Sequence, residues 1–338
     1  MNISVIIPVY NASEFITKAV ESALMQTEAS EVILIEDCSS DNSLEICSAL
    51  SKKYTKVKLF MHPGELNKGA GASRNLGIQK AEYELISFLD ADDFFLPNRF
   101  GRTMELFKQE RIIDGVYEAV GTVFQNEDSL ERWENLNHSN LSTVNKIIGP
   151  DILFEYLIQG RFGFFHFDGL CVKKNALFQV GLFNESLRLH QDTDLMYKLA
   201  AKSKLFPGII HKPVSMRTIH QNNRITKNEE DFHENHRTKM IFWNHFIVWG
   251  EKNLTKKRMR YVNRRYLNRL NKVDNFVDYS LKDFLSSRAQ MFQYAFNNLY
   301  LILTPYFWWK IIPYRRIIPE KFLIGIKRFF HLKSLCRS

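Results

Sequence analysis

Three carboxylates fall within four residues of this sequence, at Asp90, Asp92 and Asp93. They directly follow the apolar run Leu85–Leu89, which is typical of a strand buried in a sheet. Like charges at this spacing repel, and their unpaired burial is costly, so a cation would stabilise them. Mg²⁺ takes oxygen ligands and often binds carboxylates together with substrate phosphates. The spacing fits either a metal–diphosphate site or a solvated acidic turn ahead of Pro97.

The neighbouring sequence alternates strand and helix patterns, which is typical of a parallel sheet with right-handed crossovers. Strands are predicted at Ile3–Val9, Val32–Ile35, Val57–Met61 and Leu85–Leu89. Polar residues follow each of them, at Asn11, at Asp37, between Asn67 and Asn75, and at Asp90–Asp93. The carboxyl ends of parallel strands meet at one edge of a sheet, where α/β proteins bind ligands. The clustering therefore favours the binding site over the solvated turn.

The turn after the first predicted strand reads Val9-Tyr10-Asn11-Ala12 and contains no glycine. A dinucleotide-binding fold requires G-x-G-x-x-G at this point, and that motif is absent, as is a P-loop. A sugar nucleotidyltransferase, which shares the broad fold, would carry a glycine-rich basic loop here. The sequence predicts a nucleotide-binding α/β fold in which a metal holds the phosphates.

Four motifs follow the four strands in order. They are Pro8-Val9-Tyr10-Asn11, Glu36-Asp37-x-Ser39-Ser40-Asp41, Asn67-x-Gly69 with Ala72-x-Arg74-Asn75, and Asp90-Ala91-Asp92-Asp93. Together they resemble the inverting family 2 glycosyltransferases with the GT-A fold, from Ile3 to about Thr226. The resemblance implies a mostly parallel central sheet flanked by helices. It also implies a hexosyl- or N-acetylhexosaminyl-type transferase that uses a nucleotide-diphosphate donor, in the first place a UDP-sugar.

The resemblance implies a role for each matching residue of the donor site. Asp37 would hydrogen-bond the edge of the uracil ring, and Pro8 and Tyr10 would line the pocket for the base. Arg74 would lie near the base or the diphosphate, and Asp90 would contact the ribose or the sugar. The alternatives are structural, with Asp37 as a turn residue and Arg74 as a surface charge of a helix.

The resemblance implies that Asp92 binds a divalent cation, Mn²⁺ or Mg²⁺, and that this ion links Asp92 to the diphosphate. His220 ends an Arg-x-x-His stretch that begins at Arg217, and such a stretch often folds over the diphosphate in the resembled family. His220 would complete the metal shell or contact phosphate. A lone histidine is usually not a ligand, so an ordinary structural histidine is the alternative.

Asp192 is the candidate catalytic base. The resembled family has a Glu-Asp pair opening a helix here, and the Asp of that pair takes the proton of the acceptor hydroxyl. In this sequence the pair reads Gln191-Asp192, so the base is kept while the Glu is replaced by its amide. The alternative is that Asp192 or Asp194 only caps the helix that runs through Ala201.

The second half of the resembling region is predicted more coarsely. Asp114–Phe124 and Gly163–Lys173 have the composition of strands, and Pro150 begins a predicted helix through Ile158. The polar segment between Glu127 and Gly149 is predicted to be an irregular loop over the acceptor side.

The charge of the chain is unevenly distributed. The 338 residues carry a formal net charge of +9, but Glu251–Ser338 holds 19 Lys and Arg residues against five Asp and Glu residues, a net +14. The first 250 residues therefore carry −5. A basic tail of this kind indicates an anionic partner.

The basic tail also has amphipathic patterns. Met259–Val273 has apolar residues at helical spacing, and Tyr300–Lys310 and Phe322–Phe330 mix aromatic with basic residues. Such stretches lie well in a membrane interface, so we expect an anionic membrane surface as a partner. The alternative is a helical subdomain packed on the catalytic body. Nucleic acid is not expected, because no known reader motif occurs.

These observations predict a catalytic domain over residues 1–226 and a basic helical, membrane-associating region over 227–338. The four cysteines show no CxxC spacing, and neither a signal peptide nor an apolar run of 18 residues is recognisable. We therefore expect a cytoplasmic protein, peripheral at the inner face of the cell membrane, that transfers sugar to a glycan or lipid-linked acceptor in surface polysaccharide synthesis. The non-enzymatic alternative is a degenerate domain that acts as a membrane-surface interaction module.

Overall fold

The computed structural model describes residues 1–64, 66–110, 112–135, 139–221, 223 and 232–270, together with residues 289, 292 and 296. The chain divides into two compact units, Met1–Arg258 and Met259–Ser338. The aromatic and basic stretches Tyr300–Lys310 and Phe322–Phe330 lie outside the described residues.

The strands of the described residues form two sheets. In chain order the strands are β1 (Ile3–Val9), β2 (Ala29–Glu36), β3 (Val57–Met61), β4 (Leu85–Phe88), β5 (Phe94–Phe95), β6 (Gly115–Tyr117), β7 (Val120–Phe124), β8 (Leu141–Ser142), β9 (Leu170–Lys173), β10 (Leu205–Pro207) and β11 (Ser215–Ile219). The main sheet has the order β10-β6-β9-β4-β1-β2-β3, and β9 alone runs antiparallel to its neighbours. The smaller sheet has the order β5-β11-β7-β8. The expectation of a mostly parallel central sheet is confirmed.

Helices follow most of the strands. They are α1 (Ile16–Leu24), α2 (Ser43–Lys53), α3 (Ala70–Lys80), α4 (Gly101–Gln109), α5 (Glu127–Asn135), α6 (Pro150–Gln159), α7 (Lys174–Val180), α8 (Gln191–Lys202), α9 (Phe232–Asn253) and α10 (Lys256–Leu270). The apolar residues of β1 and β2 are almost completely buried, because helices cover the sheet. Gly77 lets α3 lie directly on β1, since a Cβ atom there would come within 2.4 Å of Ile6. This close approach brings the residues at the start of α3 to the end of the sheet.

Two predicted strands are wrong in part. Asp114–Phe124 is broken into β6 and β7, which belong to different sheets. Between them Glu118 turns inward, where its fully buried carboxylate accepts hydrogen bonds from Arg99 at 2.7 Å and Thr103 at 2.8 Å. A buried carboxylate must be paired, and this requirement ends the strand.

The predicted strand Gly163–Lys173 begins only at Leu170. Phe162 and Gly163 have φ angles of 64° and 85°, which break the extended backbone, and a 3₁₀ turn covers Phe167–Gly169. The predicted loop between Glu127 and Gly149 is also only partly irregular, because α5 and β8 lie within it.

Candidate active site

A cavity of about 750 Å³ opens where β1, β2 and β4 end. All eight residues that the sequence predicts for the site line this cavity. They are Pro8, Tyr10, Asp37, Arg74, Asp90, Asp92, Asp192 and His220. They come from points of the chain up to 212 residues apart, and the parallel sheet gathers them at one edge.

Asp37 fastens the loop before α3 to the end of β2. Its two carboxylate oxygens accept the backbone N–H groups of Lys68 and Gly69, each at 2.7 Å, and its side chain is 1% exposed. Asn67 donates to its backbone carbonyl at 3.0 Å. Asp37 therefore both holds the turn and lines the cavity.

Glu36 and Asp41, the other acidic residues of this motif, hold turns. Glu36 accepts the backbone N–H groups of Cys38 and Ser39, and Asp41 accepts that of Ser13. Neither residue lines the cavity.

Arg74 joins two acidic residues from distant parts of the chain. Its guanidinium donates to Asp90 at 2.5 Å and to Asp192 at 3.1 Å, while the residue is only 4% exposed. Burial opposes its charge, but Asp192 and Asp90 more than compensate and raise the pKa of Arg74. The sequence did not predict this bridge between the donor-side carboxylate and the candidate base.

Asp92 and His220 face each other in the cavity. The Nε2 atom of His220 lies 3.0 Å from Oδ2 of Asp92, and Asn223 donates to the same oxygen at 3.2 Å. The His220 ring stacks on Phe15 with 4.8 Å between the ring centroids. Asp93 points inward instead, where it is 3% exposed and accepts the backbone N–H of Thr218 at 2.8 Å.

This arrangement fits a divalent cation. Asp90, Asp92 and Asp93 each offer an oxygen, and these atoms lie within 4.8 Å of one another. Asp90 is paired with Arg74, and Asp93 is engaged by the Thr218 N–H and by the side chain of Asp168. Among the described residues, Asp92 is the one carboxylate of the three without an arginine or backbone partner, and the imidazole of His220 adjoins it, so these two residues could hold the ion.

Sequence reasoning missed His166 and Asp168. Asp168 is fully buried, and its Oδ1 accepts the backbone N–H of Asp90 at 3.2 Å. Nδ1 of His166 lies 3.3 Å from the backbone nitrogen of Asp168 and 3.5 Å from its Oδ2. Burial opposes the ionised form of Asp168, but His166 and the hydrogen bond from Asp93 lower the pKa of Asp168 to about 2. The signal available was a His-x-Asp in an otherwise aromatic and apolar segment.

Asp192 lies in the first turn of α8 and its side chain is half exposed. The helix is preceded by His190, with a left-handed φ of 64°, and no side-chain hydrogen bond caps it. The capping alternative is therefore wrong for Asp192. Asp194 is not a cap either, because it is buried in an ion pair with Lys198 at 2.6 Å. Gln191 donates its side-chain amide to the carbonyl of Leu187.

Asn75 ties the turn before α8 to α3. Its amide nitrogen donates to the Phe183 carbonyl at 2.9 Å and to Glu185 at 2.8 Å, and its oxygen accepts the Phe183 N–H at 3.0 Å. Arg74, the preceding residue, contacts Asp192. The same stretch of α3 thus fixes both the turn and the candidate base.

Asn75→Ala should lower the free energy of unfolding by about 2–3 kcal/mol, because it leaves a buried backbone N–H and carbonyl unpaired. Denaturant unfolding measures the change. Asn140→Ala, at an exposed loop position, is the control and should change stability by less than about 0.5 kcal/mol. Equal stability of the Asn75 variant and wild type would contradict the role given to Asn75.

Comparison with known proteins agrees with this geometry. Residues 4–167 match the family model for glycosyl transferase family 2. The glycosyltransferase YibD of Escherichia coli K12 is 29% identical over 269 residues, which cover 72% of this chain and 74% of YibD. The succinoglycan biosynthesis protein ExoU of Rhizobium meliloti is 31% identical over 212 residues, covering 62% of this chain and 60% of ExoU. A glycosyltransferase of Haemophilus influenzae is 38% identical over 112 residues, and the chain spans 44% of its length.

A solved structure shows the same fold. Staphylococcus aureus TarS, residues 1–349, matches with a TM-score of 0.61 at 17% identity, covering 85% of this chain and 79% of that chain. The fold is therefore of the GT-A type. Over residues 4–167 the chain is similar to glycosyl transferase family 2. Among the described residues, the helices are all too short or too polar to span a bilayer.

Proposed function

We propose that this protein is a metal-dependent inverting glycosyltransferase that moves a hexosyl or N-acetylhexosaminyl group from a UDP-sugar to an acceptor hydroxyl. The observation that carries the proposal is one cavity lined by Asp92, Asp192 and His220, in a chain whose residues 4–167 match the family 2 model. TarS 1–349, which shares the fold, has been crystallised with UDP-GlcNAc, and this supports a UDP-sugar as donor.

The donor would lie along the sheet edge. Pro8 and Tyr10, the latter 43% exposed, would border the base, with Asp37 at the end of the neighbouring strand. Mn²⁺ or Mg²⁺ held by Asp92 and His220 would neutralise charge on the departing diphosphate.

In the transfer step the acceptor oxygen bonds to the anomeric carbon while the bond from that carbon to the diphosphate breaks. The acceptor proton passes to the Asp192 carboxylate, and UDP leaves. Arg74 holds Asp192 in place from a buried position, and its other contact, Asp90, lies beside Asp92. Arg74 thus connects the proposed base to the carboxylate beside the proposed metal ligand, and this would help to fix the geometry of the reacting centre.

UDP release tests the proposal. The full chain is incubated with a panel of UDP-sugars and Mn²⁺ or Mg²⁺, and released UDP is measured as slow hydrolysis without an acceptor. We expect one donor to be preferred and its release to stop when the metal is chelated. Failure of every UDP-sugar to release UDP would refute the proposal.

We further propose that the acceptor is a glycan or lipid-linked sugar at the cytoplasmic face of the membrane. ExoU is named for succinoglycan biosynthesis, which supports a role in surface polysaccharide synthesis. The helix α10 presents exposed basic side chains that would attract an anionic bilayer. They are Lys256, Lys257, Arg260 and Arg264.

Arg260→Glu/Arg264→Glu should weaken binding to phosphatidylglycerol vesicles on the order of tenfold or more, because each lost cation removes about 1 kcal/mol of attraction. Cosedimentation of the full chain measures the change. Lys52→Glu/Lys108→Glu, which reverses two exposed charges on α2 and α4, is the matched control. Equal weakening by both pairs would show that general charge, and not α10, drives the binding.

A further inference from the structure

Asp90, His166 and Asp168 form a second polar cluster at the cavity. One potential ligand atom from each lies within 4.8 Å of the others. Asp90 and His166 line the cavity, whereas Asp168 is fully buried. The cluster adjoins the predicted metal site, because Asp90 and Asp92 also lie within 4.8 Å of each other.

The cluster is poorly suited to a cation. The Arg74 guanidinium already binds Asp90 at 2.5 Å and would repel a metal ion at that carboxylate. Nδ1 of His166 lies against the backbone nitrogen and the carboxylate of Asp168, at 3.3 and 3.5 Å, so it is occupied. Both residues line the cavity, and the groups they have left for a ligand are a carboxylate oxygen of Asp90, which accepts hydrogen bonds, and Nε2 of His166.

Nε2 of His166 is a hydrogen-bond donor in both protonation states of the ring. When the ring is neutral and Nδ1 accepts the Asp168 N–H, the proton is on Nε2, and when the ring is charged both nitrogens carry one. Nε2 makes no hydrogen bond to any described residue. The ring is therefore oriented by Asp168 and presents an unused donor.

We infer that His166 donates a hydrogen bond to a hydroxyl group of the sugar being transferred, beside the sugar contact already expected of Asp90, and that Asp168 is a positioning residue for the His166 ring. This inference rests on the proposed function. A sugar whose diphosphate lies at Asp92 must place its ring within a few ångströms of Asp90, which is where His166 is. The two side chains would therefore select the donor sugar by its hydroxyl configuration, while the nucleotide is held elsewhere.

His166→Phe tests the inference, because it keeps an aromatic ring and removes the donor. We expect kcat/KM for hydrolysis of the preferred UDP-sugar to fall about 10-fold to 100-fold, and the Kd of UDP alone to change by less than about twofold. His166→Gln retains an N–H donor and should recover part of the loss. His211→Phe, at an exposed turn, is the matched control and should behave as wild type.

Three results would overturn the inference. Unchanged hydrolysis in folded His166→Phe would remove His166 from donor recognition. A loss of affinity for UDP alone as large as the loss in kcat/KM would mean that His166 binds the nucleotide part of the donor. Loss of Mn²⁺ binding in calorimetry without nucleotide would make the cluster a metal site. Absence of UDP release by wild type from every donor is a different outcome, since it refutes the proposed function together with this inference.

Discussion

Asp192→Asn is expected to lower turnover on the order of 10²–10⁴-fold while leaving the Kd of the UDP-sugar within about twofold of wild type. Asparagine has the shape of aspartate but cannot take the proton of the attacking hydroxyl. The side-chain oxygen of Asn can still accept the hydrogen bond from Arg74, and Arg74 keeps its hydrogen bond to Asp90. We therefore expect the cavity to keep its shape. Single-turnover measurement of UDP release separates the chemical step from donor binding.

The matched control is Asp128→Asn, which makes the same change at an exposed position in the first turn of α5. This variant should turn over as wild type does. Loss of donor binding in Asp192→Asn would show that Asp192 holds the donor instead of acting as base. Undiminished turnover would mean that another group takes the proton.

Asp92→Ala is expected to remove metal-dependent nucleotide binding and to reduce turnover on the order of 10³-fold or more, because a cation at a departing diphosphate is worth several kcal/mol. Asp92 is the partly exposed carboxylate beside His220, and neither Asp90 nor Asp93 is free to replace it. Calorimetric titration with Mn²⁺ in the presence of UDP gives the binding, and UDP release gives the rate.

Asp128→Ala serves as the control for Asp92→Ala, since it also deletes one acidic side chain. It should leave both measurements unchanged. Full activity of Asp92→Ala would contradict the metal assignment. Thermal unfolding of Asp92→Ala without ligand tests whether the variant is inactive only because it is less stable.

The first half of the fold could be predicted because its signals are local. Four short apolar runs, each followed by polar residues, define β1 to β4 and the edge at which they end. Parallel connections then require Asp37 and Asp90–Asp93 to meet, and the structure brings them to one cavity. No tertiary information is needed for this step, because strand direction alone places the carboxyl ends together.

The missed features depend on tertiary contacts. Asp168 follows Asp92 by 76 residues, and only the pairing of β4 with β9 brings its turn under Asp90. Likewise Glu118 has an apolar neighbourhood that predicts a strand, but its buried pairing with Arg99 redirects the chain into the second sheet. Periodicity reports which residues are buried and does not report which distant residue will neutralise a charge.

The most direct measurement of the central claim is a thermal-shift titration of the wild-type chain with UDP, with and without Mn²⁺. At about 100 times its Kd, UDP should stabilise the fold by roughly 2.7 kcal/mol, and the shift should require the metal. This result would establish a metal-dependent nucleotide-diphosphate site in the cavity. A well-folded chain that shows no shift with UDP or any other nucleotide would contradict the account and would favour a non-catalytic interaction module.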